Sequence, residues 1–163
     1  MIINILFIVC LFFISCSSSR EVNTDIADNG LWSSKLDELD IVMYYIMNDS
    51  KEYKKIKKLD KEEKILHIKK YFYKLDPDTT TTKNESLDEL NKRVLASKRL
   101  FLGFDGGLLS DRSRIYIIYG PPKNIIEKKI NNSNFITWNY IIDNKIVEFN
   151  FLLDEFERYT LVK

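Results

Sequence analysis

Cysteine and histidine are nearly absent from this 163-residue chain: there are two Cys, Cys10 and Cys16, and a single His, His67. So few of these side chains leave almost no material for zinc ligation or for histidine-assisted nucleophilic catalysis. No catalytic residue, metal site or cofactor is therefore expected. An excess of either charge is also missing, since 25 basic residues stand against 24 acidic ones. A nucleic-acid partner is excluded on that ground, because such a surface needs a basic footprint. Five Gly and three Pro are too few for a collagen-like or linker-dominated chain. What is present is apolar (45%) and aromatic (13%), enough for one domain folded around a real core.

The first sixteen residues contain no charge, and fourteen of them are apolar. As a helix, an apolar stretch of ~14 residues reaches only ~21 Å, against a hydrocarbon core of ~30 Å. That length suits the h-region of a signal peptide better than a membrane span. Phe13-Ile14-Ser15-Cys16 resembles a bacterial lipobox, with the small Ser15 before a Cys that would receive a diacylglycerol. Residues 1–15 are thus expected to be a lipoprotein signal peptide, Cys16 the lipidated residue, 16–34 a polar tether and 35–163 the folded domain. An uncleaved anchor or a buried strand is the alternative for the apolar segment.

Leu36, Leu39, Met43 and Ile46 recur at helical spacing, which predicts a helix over 35–48 with Ser34 and Asp37 at its start. Asp60 and Glu63 form a capping box for a second helix whose buried face carries Ile65, Ile68, Phe72 and Leu75. The lysines, nine against four acids over 51–70, are expected to point to solvent. Pro77 and a run of threonines end that helix, and Ser86 with Glu89 reads as the capping box of a third. Asp76, Asp78 and Glu85 read as turn and cap residues.

Three of the five glycines fall within Gly103–Gly107, just before Leu108-Leu109-Ser110-Asp111. No Lys-Ser/Thr pair closes the loop, so it is not a phosphate cradle. The apolar run from Arg114 to Tyr119 predicts an interior strand stopped by Gly120-Pro121-Pro122. Arg112 and Arg114 would then share one face of it. Two readings stay open for these residues. Asp111 and its arginines hold the loop in place, or Arg93, Arg112 and Arg114 form a clamp for an anionic ligand.

Phe135 to Ile142 alternates, and Asp143-Asn144 is a two-residue turn. Closing the hairpin there pairs Tyr140 with Val147, Trp138 with Phe149 and Ile136 with Phe151, all on one apolar face. Asn139 with Glu148 and Thr137 with Asn150 occupy the other. A turn near Asp154-Glu155-Phe156 would return Tyr159 and Leu161 beside Phe151 and Phe149.

The ordered series Phe72-Tyr73-Lys74-Leu75-Asp76-Pro77, Asn84-Glu85, Arg93 with Ala96 and Phe101, Gly107-Leu108-Leu109-Ser110-Asp111-Arg112, Arg114 to Pro122, and Trp138 with Tyr140 resembles the GWxTD-domain family of bacterial envelope proteins. Leu108 stands in the place of that motif's tryptophan, Ser110 in that of its threonine, and Ser113 where a glycine is usual. The resemblance implies an envelope address and marks Arg93, Gly107, Ser110, Asp111, Arg112 and Arg114 as motif residues. Together these readings predict an α+β domain, three amphipathic helices on an antiparallel sheet of three or four strands. Its expected function is that of a non-enzymatic binding or organising module, lipid-anchored to a membrane and partnered by another envelope protein. The alternative is an enzyme or receptor for an anionic small molecule at Asp111, Arg112 and Arg114.

Overall fold

The computed structural model describes residues 36–47, 50–78, 80 and 84–162. The expected signal peptide and tether, with Cys16 and Ser34, lie outside the described residues. Among the described residues, five α-helices precede a four-stranded sheet: α1 Leu36–Ile46, α2 Ser50–Ile56, α3 Lys61–Tyr73, α4 Glu85–Leu100 and α5 Asp111–Tyr119. The strands are β1 Asn124–Ile130, β2 Ser133–Ile142, β3 Lys145–Leu153 and β4 Tyr159–Val162, antiparallel in the order β1-β2-β3-β4. The α+β class and the four strands agree with the sequence reading, but the elements differ in three places.

The largest difference is α5. Arg114 to Tyr119 is helical, and it begins where Ser110 Oγ accepts a hydrogen bond from Ser113 N at 3.0 Å. A short apolar run is equally compatible with a buried strand and with a helix buried all round, and the N-cap decides between them. This helix is buried on two sides. Ile117 belongs to a core with Leu39, Val42, Met43, Ile68, Phe72 and Val94, whereas Ile115 belongs to a second core with Phe101, Trp138, Tyr140 and Phe151. The helical members of the sheet's core come from α5 and from Phe101 at the end of α4, so α1 to α3 build a layer of their own and do not cover the sheet.

The first strand is instead Asn124–Ile130, every residue of which is exposed. Lacking a buried face, it has no alternation for the sequence reading to find. Its turn does carry a signature, because Asn131 and Asn132 both take left-handed φ, 47° and 68°, as a two-residue hairpin turn requires. The β2–β3 hairpin has the predicted register, with Tyr140 opposite Val147, Trp138 opposite Phe149 and Ile136 opposite Phe151. In β4 the register is displaced by two residues, so that Leu161 faces Phe151 and not Phe149, and Tyr159 faces Leu153 and not Phe151. Asp154 sets that turn by accepting from the backbone N–H groups of Phe156 and Arg158. Those bonds, Arg158 foremost, hold its carboxyl below the usual range.

Two further corrections concern the helical layer. The cap of α4 is Asn84, whose side chain accepts from Leu87 N, while Ser86 Oγ donates to the Leu75 carbonyl and Glu89 pairs with Arg93. In α3 the Asp60–Glu63 capping box is present as predicted. One of its lysines departs from solvent altogether. Lys64 is fully buried, with its ammonium on the Asp40 carboxylate of α1 and on the Lys57 carbonyl just past α2. One side chain thereby ties three helices, which explains the lost hydration. Asp76 and Asp78 accept from backbone N–H groups two residues on, as turn residues do.

Trp138 is 3% exposed and packs edge-on against Phe151 with centroids 5.0 Å apart. Trp138→Ala is expected to cost about 3–5 kcal/mol. Asn139→Ala on the reverse face removes an oxygen that has no partner and is expected to cost under about 0.5 kcal/mol. Denaturant titration of both variants checks the buried face.

Candidate functional site

After Phe101 the chain makes two single 3-10 turns, Gly103–Asp105 and Gly107–Leu109, before α5 begins. Gly106 joins them at φ 95°, a conformation glycine alone adopts without strain. Gly107 N donates to the Phe101 carbonyl at 2.7 Å and draws the loop back onto the end of α4. Leu108 then enters the helical core, 7% exposed. Its carbonyl accepts from Tyr45 Oη at 2.9 Å. Burial pushes that phenol's pKa up, against the opposing pull of Arg114, so Tyr45 remains a donor at neutral pH.

The acids of this segment reach across to the sheet. Asp105 Oδ1 accepts from Tyr159 N at 3.0 Å, and Asp111 Oδ2 accepts from Leu161 N at 2.8 Å. Residues 159 and 161 are alternate positions of β4, whose other side pairs with β3. Their N–H groups therefore leave the same edge of the strand. The two carboxylates fill the role of a missing fifth strand. Each also holds an arginine, Asp105 through Arg112 Nε at 2.9 Å and Asp111 through Arg114 Nη2 at 3.1 Å. The Arg112 guanidinium lies 3.9 Å above the Tyr159 ring centroid and 5.1 Å from that of Phe101, a cation–π contact on each side.

Arg93 is elsewhere. Its Nη1 donates to the Ile118 carbonyl at 2.8 Å and its Nε to Glu89 at 2.9 Å. It thus satisfies the open carbonyls at the C-terminus of α5. Gly120 is required beside it, since φ is 80° and a Cβ would come within 3.2 Å of Arg93 Nε. Six residues of helix from Arg112 to Ile118, ~9 Å, separate this end from Arg112. The strand reading put Arg112 and Arg114 on one face; on a helix, residues two apart diverge. The three guanidinium groups accordingly do not converge. Gly107, Ser110, Asp111, Arg112 and Arg114 do come together, as a lock between loop, α5 and β4.

The residue that sequence reasoning missed is Asp105, whose side chain is only 4% exposed. Its signal is that it is the sole charge between Leu100 and Ser110. Two clefts in the helical half meet at Tyr71. One, about 450 Å³, is lined by Phe72, Leu90, Arg93 and Ile117 among others, and the other, about 700 Å³, by Met47, Ile56, His67 and Tyr73. Among the described residues no three His, Cys, Asp or Glu side chains are placed to hold a metal ion, and no helix is long and apolar enough to cross a membrane.

A helical layer and an antiparallel sheet, joined through one shared helix and one acidic loop, define the domain type. The chain belongs to the GWxTD-domain family: the model of that domain matches residues 30–163. No curated protein and no solved structure matches it.

Asp105→Ala leaves Arg112 and the Tyr159 N–H without their acceptor and is expected to cost about 3–5 kcal/mol. Asp111→Ala, at a more exposed carboxylate, is expected to cost about 1–3 kcal/mol. The rank order in a denaturant titration is the measurement that checks it. Ser113 is fully buried and its hydroxyl has no partner. Ser113→Ala is expected to be neutral or stabilising by up to about 1 kcal/mol, since only an unsatisfied group is lost.

Proposed function

We propose that this protein is a lipid-anchored component of a bacterial cell envelope whose GWxTD domain is a non-enzymatic module that binds or organises another envelope protein. One observation carries the choice of a module over an enzyme. The motif's ionic groups are each engaged inside the domain, Asp105 and Asp111 on β4 N–H groups, Arg112 and Arg114 on those carboxylates, and Arg93 on the α5 carbonyls. A catalytic or anion-binding site turns several such groups toward one open pocket, whereas the cleft that Arg93 lines contains none of the others. The anchor rests on the sequence before the domain, where an uncharged apolar segment ends in Ser15-Cys16 and a polar stretch follows.

Two measurements test this reading. Intact-mass analysis of the mature protein is expected to show loss of Met1 to Ser15 and added acyl mass on Cys16. A chain that still begins at Met1 and carries no acyl group overturns the anchor. About 10 mM phosphate is expected to leave the melting temperature unchanged, because a ligand stabilises only what it binds. A rise of several degrees that Arg112→Ala or Arg114→Ala abolishes promotes the anionic-ligand alternative.

A further inference from the structure

The loop that locks the domain also shows solvent an apolar crest. Leu100, Leu102, Phe104 and Leu109 are 59%, 70%, 72% and 71% exposed within ten residues of chain. Their backbone is fixed from beneath by the Gly107–Phe101 hydrogen bond and by Asp105, which is held to Arg112 and Tyr159. Nothing about the crest is therefore left to be ordered on binding. The loop's one charge, Asp105, is buried and paired. At its base stands the exposed Arg99, so the chain of the crest offers apolar side chains and a cation while its own carboxylate is turned inward.

Where the chain enters the domain says what that surface is. The described residues begin at Leu36, and Glu38, in the first turn of α1, is ion-paired with Lys98 at 3.1 Å. Lys98 lies two residues before Leu100. The described chain thus begins against the last turn of α4, the end of the helix from which the crest departs. At about 3.3 Å per residue the eighteen residues 17–34 reach up to ~60 Å, which holds the domain near a bilayer without orienting it. We infer that Leu100, Leu102, Phe104 and Leu109 insert into the headgroup and acyl boundary of the membrane that carries the anchor, with Arg99 among anionic headgroups, and so fix the domain's orientation. This rests on the anchor proposed above for the side of approach. The crest itself is independent of it.

Brominated-lipid quenching tests the inference on the full-length protein reconstituted in phosphatidylethanolamine–phosphatidylglycerol vesicles. Phe104→Trp and Leu102→Trp report on the crest. Ile146→Trp, 75% exposed, lies near the β2–β3 turn. That turn stands at the far end of α5, where Tyr140 Oη donates to the Gly120 carbonyl. The fluorescence that each crest variant adds to the unaltered protein is expected to fall at least about twofold in brominated vesicles, and that of Ile146→Trp by under about a tenth. Equal quenching of all three, or quenching of none, overturns the inference. Absence of quenching together with concentration-dependent sedimentation that Phe104→Ser abolishes overturns it in favour of a second copy of the chain. Acyl mass separates the two proposals. An acylated protein whose crest is not quenched sinks the crest alone, and an unacylated protein that is quenched there sinks the anchor alone.

Discussion

Two carboxylates accept the outward N–H groups of an edge strand, and much of the domain is arranged to keep them there. Asp105 and Asp111 meet β4 at alternate residues, Tyr159 and Leu161. To do so they must stand at fixed positions on either side of a turn. The left-handed glycines shape that turn, Leu108 pins it to the helical core, and Ser110 starts the helix that aims Asp111 at the sheet. A free edge is a template for pairing with other chains. Here side-chain oxygens occupy part of it, so the same contacts that hold loop to sheet also blunt that edge. The opposite edge, β1, carries Glu127, Lys128 and Lys129 in an exposed strand, the other common protection.

The arginines follow from this arrangement. A buried carboxylate needs a compensating charge, and Arg112 supplies it to Asp105 while its guanidinium also stacks over the Tyr159 ring and approaches that of Phe101. Lysine could match the charge but not the stacking. At the far end of α5, Arg93 answers a different need, the unpaired carbonyls of a helix end packed against α4. The motif residues from Gly107 to Arg114 form one structural unit, and their ionic groups pair with one another and with β4.

The register of the β2–β3 hairpin is legible in the sequence, because Trp138, Tyr140, Phe149 and Phe151 alternate with polar residues and one turn fixes their pairing, but the burial of Thr137 on the face expected to meet solvent is not. The α3 capping box was legible too, being local. What eluded sequence reasoning depends on surroundings. Arg114 to Tyr119 is buried on two sides and so shows no period to tell helix from strand. Exposed β1 shows none either, for the opposite reason. Lys64 was assigned to solvent with its neighbours, since neither the Asp40 carboxylate nor the Lys57 carbonyl that receives it can be located without the fold. The motif residues were found as a group, but their roles required knowing that β4 runs past them, some fifty residues on.

The helix α5 contributes Ile117 to one core and Ile115 to the other, two residues apart on nine residues of chain. Neither layer can release it without exposing the apolar face of its neighbour, and neither has another element to put in its place. Partial opening, with the sheet detached and the helices intact, would cost nearly as much as losing both. The domain is consequently built to unfold in one cooperative step, with its slowest-exchanging amides in the short helix between the layers, even though its two halves bury separate clusters.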